Sequence, residues 1–276
     1  MLAELENKSL YVIREAYARC ARPAVLWSMG KDSTALLHLC RKAFLGTIPF
    51  PVVHQDTSHK FPEMIEFRGW LAKLWGLDLV VARNDAALAA GVGPRKDALQ
   101  CCTALKTRAL ETIVAERGFD ALLLAIRRDE HAIRAKERVF SPRDRAFRWS
   151  YADQPLEVWD QYVAPGSSVH PGARSRPPVA AGHVRVHPLL HWREIDVWEL
   201  SRRDGLPINP LYFARNGRRY RSLGCMPCTE PIESAATTVE QIVAELAQTR
   251  AAERAGRLQD KERAFMMQKL RALGYM

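Results

Sequence analysis

The stretch of sequence that decides the fold is residues 25–37, which read VLWSMGKDSTALL. Its apolar beginning predicts a buried strand, its polar middle a short turn, and its end a helix with an apolar face. Free backbone N–H groups at the start of a helix point toward an anion, and the helix dipole favours negative charge there. Gly30 lets the backbone approach a ligand closely, and Lys31 supplies a positive charge. The stretch therefore predicts a phosphate-binding turn, the alternative being an ordinary strand-to-helix turn.

The spacing of this turn is not that of the Walker loop, because the pattern Gly-x4-Gly-Lys is absent. The pattern Ser28-x-Gly30-Lys31-Asp32-Ser33 instead resembles the PP-loop of ATP pyrophosphatases. The resemblance implies cleavage of ATP between the α and β phosphates, with Lys31 offsetting charge on the leaving pyrophosphate. It also implies a Mg²⁺ ion contacted by Asp32 or Asp56. The ATP and pyrophosphate ligands that it implies are Ser28, Gly30, Lys31, Asp32, Ser33, Thr34 and Asp56.

Segments that suit strands alternate with segments that suit helices along most of the chain. Besides the PP-loop unit, strands are predicted at 49–57, 78–82, 121–125 and 183–189, and helices at 5–20, 61–75, 103–117 and 194–202. This alternation predicts an α/β fold with a doubly wound, mainly parallel sheet. Functional residues should then lie at the carboxyl ends of the strands.

The remaining segments suggest how the chain is organised beyond this sheet. Residues 141–182, rich in Pro, Arg, Gly and Ser, predict a long loop, and residues 215–231 an irregular basic segment. Residues 238–274 predict two helices broken around Gly256. We therefore expect a PP-loop ATP pyrophosphatase domain over 1–214 and a cysteine-containing segment with C-terminal helices over 215–276.

The composition restricts the classes of protein to which the chain can belong. Lys and Arg number 41 against 31 Asp and Glu, a net charge of +10 over 276 residues, which is compatible with an anionic partner such as a nucleotide, an oxyanion or nucleic acid. No apolar run reaches transmembrane length, and the acidic N-terminus lacks the basic region of a signal peptide. A cytoplasmic protein without a membrane partner is expected.

Four arginines follow the strand predicted at 121–125, and they form a candidate oxyanion site. They are Arg127, Arg128, Arg134 and Arg138. Arginine forks suit sulfate or phosphate oxygens, and we expect Arg128 to act in catalysis together with Lys31 and Asp32. The alternative is a salt-bridged loop, in which nearby acidic residues neutralise the arginines. His54 and His59 are interpreted as structural, because an oxyanion nucleophile needs no general base.

Six cysteines in a protein expected in the cytoplasm favour metal binding or catalysis over disulfides. Cys20 and Cys40 lie in apolar helical surroundings. The other four are Cys101, Cys102, Cys225 and Cys228. Their pattern, Cys-Cys-x-x-x-Lys with Gly-Cys-x-Pro-Cys-Thr, resembles that of the four-iron cluster of adenylylsulfate reductases and implies a [4Fe–4S] cluster. Zinc and unliganded thiols are the alternatives. The nucleophilic tail cysteine of those reductases has no counterpart after Gly256, so reductase activity fits poorly.

Over nearly the whole chain, the motifs are similar to those of the small, catalytic subunit of bacterial ATP sulfurylase. Beyond the PP-loop, they lie at residues 54–57, 127–130, 134–140, 209–213, 253–257 and 273–275. The resemblance implies the PAPS reductase-like branch of the adenine nucleotide α-hydrolase fold. The segment between Phe213 and Leu223 is shorter than in that subunit, which makes its usual GTPase partner doubtful, and the four cysteines are additional.

A PP-loop together with an iron–sulfur cluster is similar to the ATP pyrophosphatases of DNA phosphorothioation and to some tRNA thiolases. The leading prediction is therefore adenylylation of an oxyanion followed by sulfur incorporation into DNA, with ATP, Mg²⁺ and a cluster as cofactors. The basic residues Arg215, Arg218, Arg219 and Arg221 would steer a phosphate backbone, or form a solvated loop. The alternative function is adenylylsulfate synthesis from ATP and sulfate. A sulfur-relay subunit bound to a cysteine desulfurase is a further possibility.

Overall fold

The computed structural model describes residues 1–94, 96–149, 154, 157, 181–249 and 251–257. Most of the long loop predicted at 141–182, and the part of the C-terminal helices predicted beyond residue 257, lie outside the described residues.

The centre of the molecule is a six-stranded sheet in the order β3-β2-β1-β4-β6-β5. Five strands are parallel, and β5 at the edge runs antiparallel to β6. The strands are β1 (Pro23–Leu26), β2 (Val52–Gln55), β3 (Leu79–Ala82), β4 (Ala121–Leu123), β5 (Phe140–Asp144) and β6 (Ala181–Val186). This arrangement confirms the predicted α/β class with a mainly parallel sheet. The loop predicted at 141–182 is wrong for residues 141–144, which form part of β5 because they pair with the distant β6.

Helices flank the sheet and bury its apolar side chains. The helices are α1 (Leu2–Arg19), α2 (Lys31–Ala43), α3 (Pro62–Trp75), α4 (Asp85–Ala89), α5 (Ala98–Cys102), α6 (Ala109–Arg117), α7 (Glu194–Asp204) and α8 (Val239–Gln248). Every residue of β1, β2 and β4 is buried, as expected for strands covered on both faces. In the part of the chain that the structure describes, no helix is long and apolar enough to cross a membrane.

The helix predicted at 103–117 begins five residues earlier, at Ala98, and contains a π-helical turn over Thr103–Arg108. It begins there because the Asp97 carboxylate accepts the N–H groups of Leu99 and Gln100 at 2.8 and 3.0 Å. Cys101 and Cys102 consequently lie inside the helix and are buried.

The segment predicted to be irregular at 215–231 contains some regular structure. Residues Arg218–Arg219 (β7) pair antiparallel with Ile232–Glu233 (β8), and a short 3-10 turn covers Met226–Cys228. Helix α8 packs on α7, with Ile242 fully buried between them. These elements place the Cys-x-x-Cys segment beside the carboxyl ends of the central strands, where Met226 donates its N–H to the His59 carbonyl at 2.7 Å.

Candidate active site

A cavity of about 160 Å³ opens at the carboxyl ends of β1, β2 and β4. Residues 26–28, 53–55 and 124–126 line it from these three strands, and residues 30–33 line it from the start of α2. Ser222, Leu223, Gly224, Arg254 and Arg257 close it from the later part of the chain. The position agrees with the rule that α/β sheets bind ligands at the carboxyl ends of their strands.

The PP-loop turn between β1 and α2 is held by its own hydroxyl groups. Ser33 Oγ accepts the Ser28 N–H at 3.2 Å and donates to the Gly30 carbonyl at 3.1 Å. Thr34 Oγ1 accepts from the Trp27 indole at 3.1 Å, so its hydroxyl is used inside the protein. The left-handed residue of the turn is Met29, with φ 60°, rather than Gly30.

Gly30 is required for a different reason, which is the close approach of Tyr212. A Cβ atom at Gly30 would lie 3.3 Å from the Tyr212 hydroxyl. That hydroxyl accepts the backbone N–H of Lys31 at 2.9 Å. Tyr212 therefore occupies one of the N–H groups that the start of α2 presents to an anion.

The Lys31 ammonium lies in the floor of the cavity, with its side chain 1% exposed. It contacts the carboxylates of Glu253, Asp32 at 3.2 Å and Glu194 at 3.9 Å. Burial lowers the pKa of Lys31, but the Glu253 and Glu194 carboxylates outweigh burial and raise the pKa overall. Lys31 is thus a buried, permanently charged cation at the start of the helix.

The predicted oxyanion arginines separate into two groups in the structure. Arg134 lines the cavity, where it pairs with Glu130, which also accepts from Arg254 at 2.9 Å. Arg127 is fully buried behind the cavity wall and pairs with Asp32, with Glu253 and, at 3.0 Å, with Asp129. Internal ion pairs of the kind considered in the alternative interpretation are therefore present.

Arg128 and Arg138 do not line the cavity. Arg128 donates to the Glu137 carbonyl at 3.1 Å and contacts His191 at 3.3 Å. Arg138 is half-buried, and its carbonyl accepts from His187 at 2.7 Å. The residues that these two arginines contact, Glu137, His191 and His187, lie outside the cavity lining as well.

Asp56 is also outside the cavity lining. Its carboxylate accepts the Ser58 N–H at 2.8 Å and faces Arg68 at 4.0 Å. His54, two residues before Asp56, does line the cavity, where its Nδ1 lies 3.0 Å from the Trp27 carbonyl. Burial and then Lys60 lower the pKa of His54 to about 3, so the imidazole is neutral and donates to the carbonyl, which matches its interpretation as a structural residue.

Several charged residues of the cavity were not selected as site residues from the sequence. They are Lys60, Lys106, Glu130, Arg254 and Arg257 in the cavity wall, together with Glu253, which contacts the Lys31 ammonium. The run Glu253-Arg254-Ala255-Gly256-Arg257 was a signal for three of them, because its charges lie in one of the motifs shared with ATP sulfurylase subunits. Its place against the PP-loop depends on the tertiary fold.

The four cysteines come together beside the cavity, within electrostatic range of one another. Cys225 Sγ lies 3.2 Å from Thr57 Oγ1. Burial raises the pKa of Cys225, but Lys106 and Lys60 lower it, to about 7. Burial raises the pKa of Cys101 to about 12. Among the described residues, no group of three or more His, Cys, Asp or Glu side chains is arranged to hold a metal ion. The structure therefore does not support the predicted cluster, although the four thiols expected to hold it lie near one another.

The basic residues preceding Cys225 are divided between surface and interior. Arg215 and Arg218 are exposed. Arg219 is buried and pairs with Glu245, and Arg221 pairs with Glu194 at 2.8 Å. Two of the four arginines thus hold the fold together, which weakens the prediction that the stretch steers a phosphate backbone.

Comparisons with known proteins agree with this fold. Residues 22–231 match the model of the phosphoadenosine phosphosulfate reductase domain. Sulfate adenylyltransferase subunit 2 of Aeromonas hydrophila is 40% identical over 305 residues, covering 99% of this chain and 97% of the relative. The protein of the same name from Myxococcus xanthus is 40% identical over 308 residues, covering 99% and 96%. The chain belongs to the phosphoadenosine phosphosulfate reductase domain family.

Two solved structures show the same fold at low identity. Phosphoadenylyl-sulfate reductase from Candida auris, in a phosphate complex, has a TM-score of 0.57 and 16% identity, covering 83% of this chain and 96% of the other. FMN adenylyltransferase from Candida glabrata, in complex with ATP, has a TM-score of 0.56 and 19% identity, covering 83% and 63%.

These findings confirm the predicted family and the prediction that the chain is an enzyme of the PP-loop adenylyltransferase kind. They support the alternative function, the sulfate adenylyltransferase subunit, better than DNA phosphorothioation, to which none of these relatives points. An iron–sulfur cluster receives no support from them.

Proposed function

We propose that the protein transfers the adenylyl group of ATP to sulfate, forming adenylylsulfate and pyrophosphate. The observation that carries this proposal is the joining of the PP-loop turn and several cations in one cavity, whose lining includes the buried Lys31, Lys106 and Arg257 and the half-buried Lys60. A ligand with two separate anionic groups suits such a cavity. The relatives that match the whole chain carry the name of this reaction.

The reaction needs positioning and charge neutralisation more than proton transfer. A sulfate oxygen attacks the α-phosphorus, a new P–O bond to sulfate forms, and the bond to the pyrophosphate oxygen breaks with its electron pair leaving on pyrophosphate. Lys31 neutralises charge on that leaving group. Sulfate is already an anion at neutral pH, so no side chain has to remove a proton from it.

The catalytic assignment follows the cavity lining. Lys31 and Asp32 keep their proposed roles, and Arg134 keeps its oxyanion role. Arg134 also takes the catalytic role that the sequence suggested for Arg128, because only Arg134 of these two arginines lines the cavity. Mg²⁺, when bound, would neutralise phosphate charge, and Asp32 is the carboxylate of the lining that would contact it, directly or through water.

The experiment is sulfate-dependent exchange of radioactive pyrophosphate into ATP, measured on the purified chain. Exchange that requires sulfate supports the proposal, whereas exchange that ignores sulfate contradicts it. The relatives are named as a subunit, so we expect a further subunit and would repeat the assay on the complex isolated from the native cell. In the Arg134→Met variant, sulfate should no longer stimulate the exchange. Arg148→Met, which replaces an exposed arginine, is the matched control.

The four cysteines favour a second candidate function. Four thiols from two distant segments, next to Lys60, Lys106 and Arg257, are the donors that a [4Fe–4S] cluster requires, and the nearby cations would stabilise thiolates. Sulfur incorporation into DNA, with a cysteine desulfurase as sulfur donor, would use such a cluster. Iron and sulfide assays on anaerobically purified protein test it: about four irons per chain would support the cluster, and absence of iron would leave the cysteines as a structural site.

A further inference from the structure

The segment of residues 251–257, here called the strap, crosses the cavity and is attached at both ends. At one end, Arg221 donates to the Ala251 carbonyl at 2.8 Å. At the other, the Gly256 carbonyl accepts the Glu230 N–H at 2.8 Å, and Arg257 donates to the Leu223 carbonyl at 2.7 Å. Between these attachments the strap directs Glu253 at the PP-loop.

The Glu253 carboxylate uses both of its oxygens on cations of the PP-loop site. Oε1 contacts Nζ of Lys31, and Oε2 contacts a guanidinium nitrogen of Arg127. Both cations are buried, and the Glu253 side chain is only 6% exposed. Burial raises the pKa of Glu253, but Lys31 and Arg127 lower it overall, so the carboxylate is charged.

We propose that the Glu253 carboxylate is an internal substitute for a phosphate group. The carboxylate pairs with the Lys31 ammonium when the site holds no nucleotide, and it leaves when pyrophosphate or ATP binds. This inference rests on the proposed role of the PP-loop as the pyrophosphate site. A carboxylate and a phosphate edge both offer two oxygens to a pair of cations, and the Lys31 ammonium cannot fully satisfy two competing anions in a buried site. Glu253 therefore competes with the ligand for the same positive charges.

The strap reaches solvent directly before Glu253. Ala251 and Ala252, which directly precede Glu253, are exposed. Rotation of Glu253 toward these residues would bring the carboxylate to solvent, while Gly256 and Arg257 keep the far end attached. The buried ion pair holds Lys31 and Arg127 in place in the absence of ligand. It also lowers the apparent affinity of the site for pyrophosphate, because Glu253 must leave before the ligand binds.

The test is calorimetric titration of inorganic pyrophosphate into the wild-type protein and the Glu253→Gln variant. Glutamine keeps the shape of the side chain and removes the competing charge. If the wild-type site is occupied by Glu253 about nine-tenths of the time, the variant should bind pyrophosphate about tenfold more tightly. Pyrophosphate should also raise the melting temperature of the variant more than that of the wild type.

The matched control is Glu130→Gln, which removes one negative charge from the same cavity without vacating Lys31, because Glu130 pairs with Arg134 and Arg254. We expect a gain below about threefold for this control. An equal gain in both variants would show a general charge effect and overturn the proposal. Unchanged or weaker binding by Glu253→Gln, or no binding by either protein, would also overturn it.

In the Glu253→Gln variant the amide oxygen can still accept a hydrogen bond from Lys31, so a Glu253→Ala variant, which removes this acceptor, is measured as well. Circular dichroism establishes that each variant is folded. Pyrophosphate binding is measured without sulfate, so this result is separate from the proposed reaction. A chain that fails the sulfate-dependent exchange assay but shows tighter binding in Glu253→Gln would retain the present inference and lose the proposed function.

Discussion

Glu253 and Lys31 are 222 residues apart in the sequence, yet their side chains form a buried ion pair at the start of α2. Lys31 belongs to the PP-loop, whereas Glu253 belongs to the strap near the end of the described chain. The pair joins the segment that the sequence marks as a phosphate site to a segment that has no phosphate-binding pattern. The activity and the stability of the protein should both depend on this ion pair.

Replacement of Lys31 by methionine should lower the rate of ATP–pyrophosphate exchange by about 10²–10³-fold, because the variant loses the cation that neutralises the leaving group. The measurement is initial exchange rate at saturating ATP. Lys42→Met is the matched control, since Lys42 pairs with Glu6 and Asp204 on α1 and α7, away from the cavity. A similar loss in both variants would contradict a specific role for Lys31.

Replacement of Arg127 by methionine should lower the free energy of unfolding by about 3–5 kcal/mol, because the buried carboxylates of Glu253 and Asp32 lose one cation and are left to share Lys31. Urea denaturation measures this loss. Arg148→Met, which removes an arginine 70% exposed in its pair with Asp144, should change the same free energy by less than about 1 kcal/mol. Equal effects of the two substitutions would contradict the assigned burial.

Replacement of Gly256 by alanine should loosen the strap, since the new Cβ would lie 2.5 Å from the Glu230 carbonyl oxygen. We expect the free energy of unfolding to fall by about 1–3 kcal/mol. Gly69→Ala provides a control of opposite sign: Gly69 is exposed in α3 and its Cβ would meet no atom within 4 Å, so helix propensity should raise the stability by about 0.5–1 kcal/mol. Thermal or urea unfolding of both variants measures these two changes in the free energy of unfolding.

Replacement of Tyr212 by phenylalanine removes the hydroxyl that accepts the Lys31 N–H at 2.9 Å. The buried N–H then has no acceptor, and the unfolding free energy should fall by about 1–3 kcal/mol. A phosphate can take the vacated place, so pyrophosphate should raise the melting temperature of the variant more than that of the wild type. Tyr11→Phe, at an exposed tyrosine, should show neither effect.

The stability of the protein should decrease as the pH falls below about 6.5. Burial, and then Lys60, lower the pKa of His54 from 6.5 to about 3 in the folded state, so the unfolded state binds the proton first. The stability contributed by the neutral imidazole is complete above the unfolded pKa and is lost as the pH falls toward the folded one, by about 1.4 kcal/mol per pH unit. Urea denaturation between pH 7.5 and 5 measures this slope, and His54→Gln should reduce it. An identical slope in the variant would show that His54 is not responsible.

Local sequence patterns were sufficient for the five parallel strands, most helices and the PP-loop, because burial periodicity and turn chemistry act over a few residues. Asp97 caps a helix that begins before its predicted start. The antiparallel pairings are not predicted, because each depends on a distant partner: residues 141–144 of β5 pair with β6, and residues 218–219 pair with 232–233. Of the predicted site residues, Arg134 and residues 28 and 30–33 line the cavity, whereas Arg128, Arg138 and Asp56 have a suitable residue type but lie outside the lining.

The sequence by itself determined the class of fold and predicts an anion site at Lys31, since the strand, turn and helix around this residue are encoded in consecutive residues. Only the tertiary structure decided which charges meet. It brought Glu253 to Lys31, Arg254 to Glu130, and Cys225 to Thr57, all across more than a hundred residues. The physical reason is that ion pairing in a buried site depends on distance and desolvation, which follow from the packing of distant segments and leave no periodic pattern in the chain.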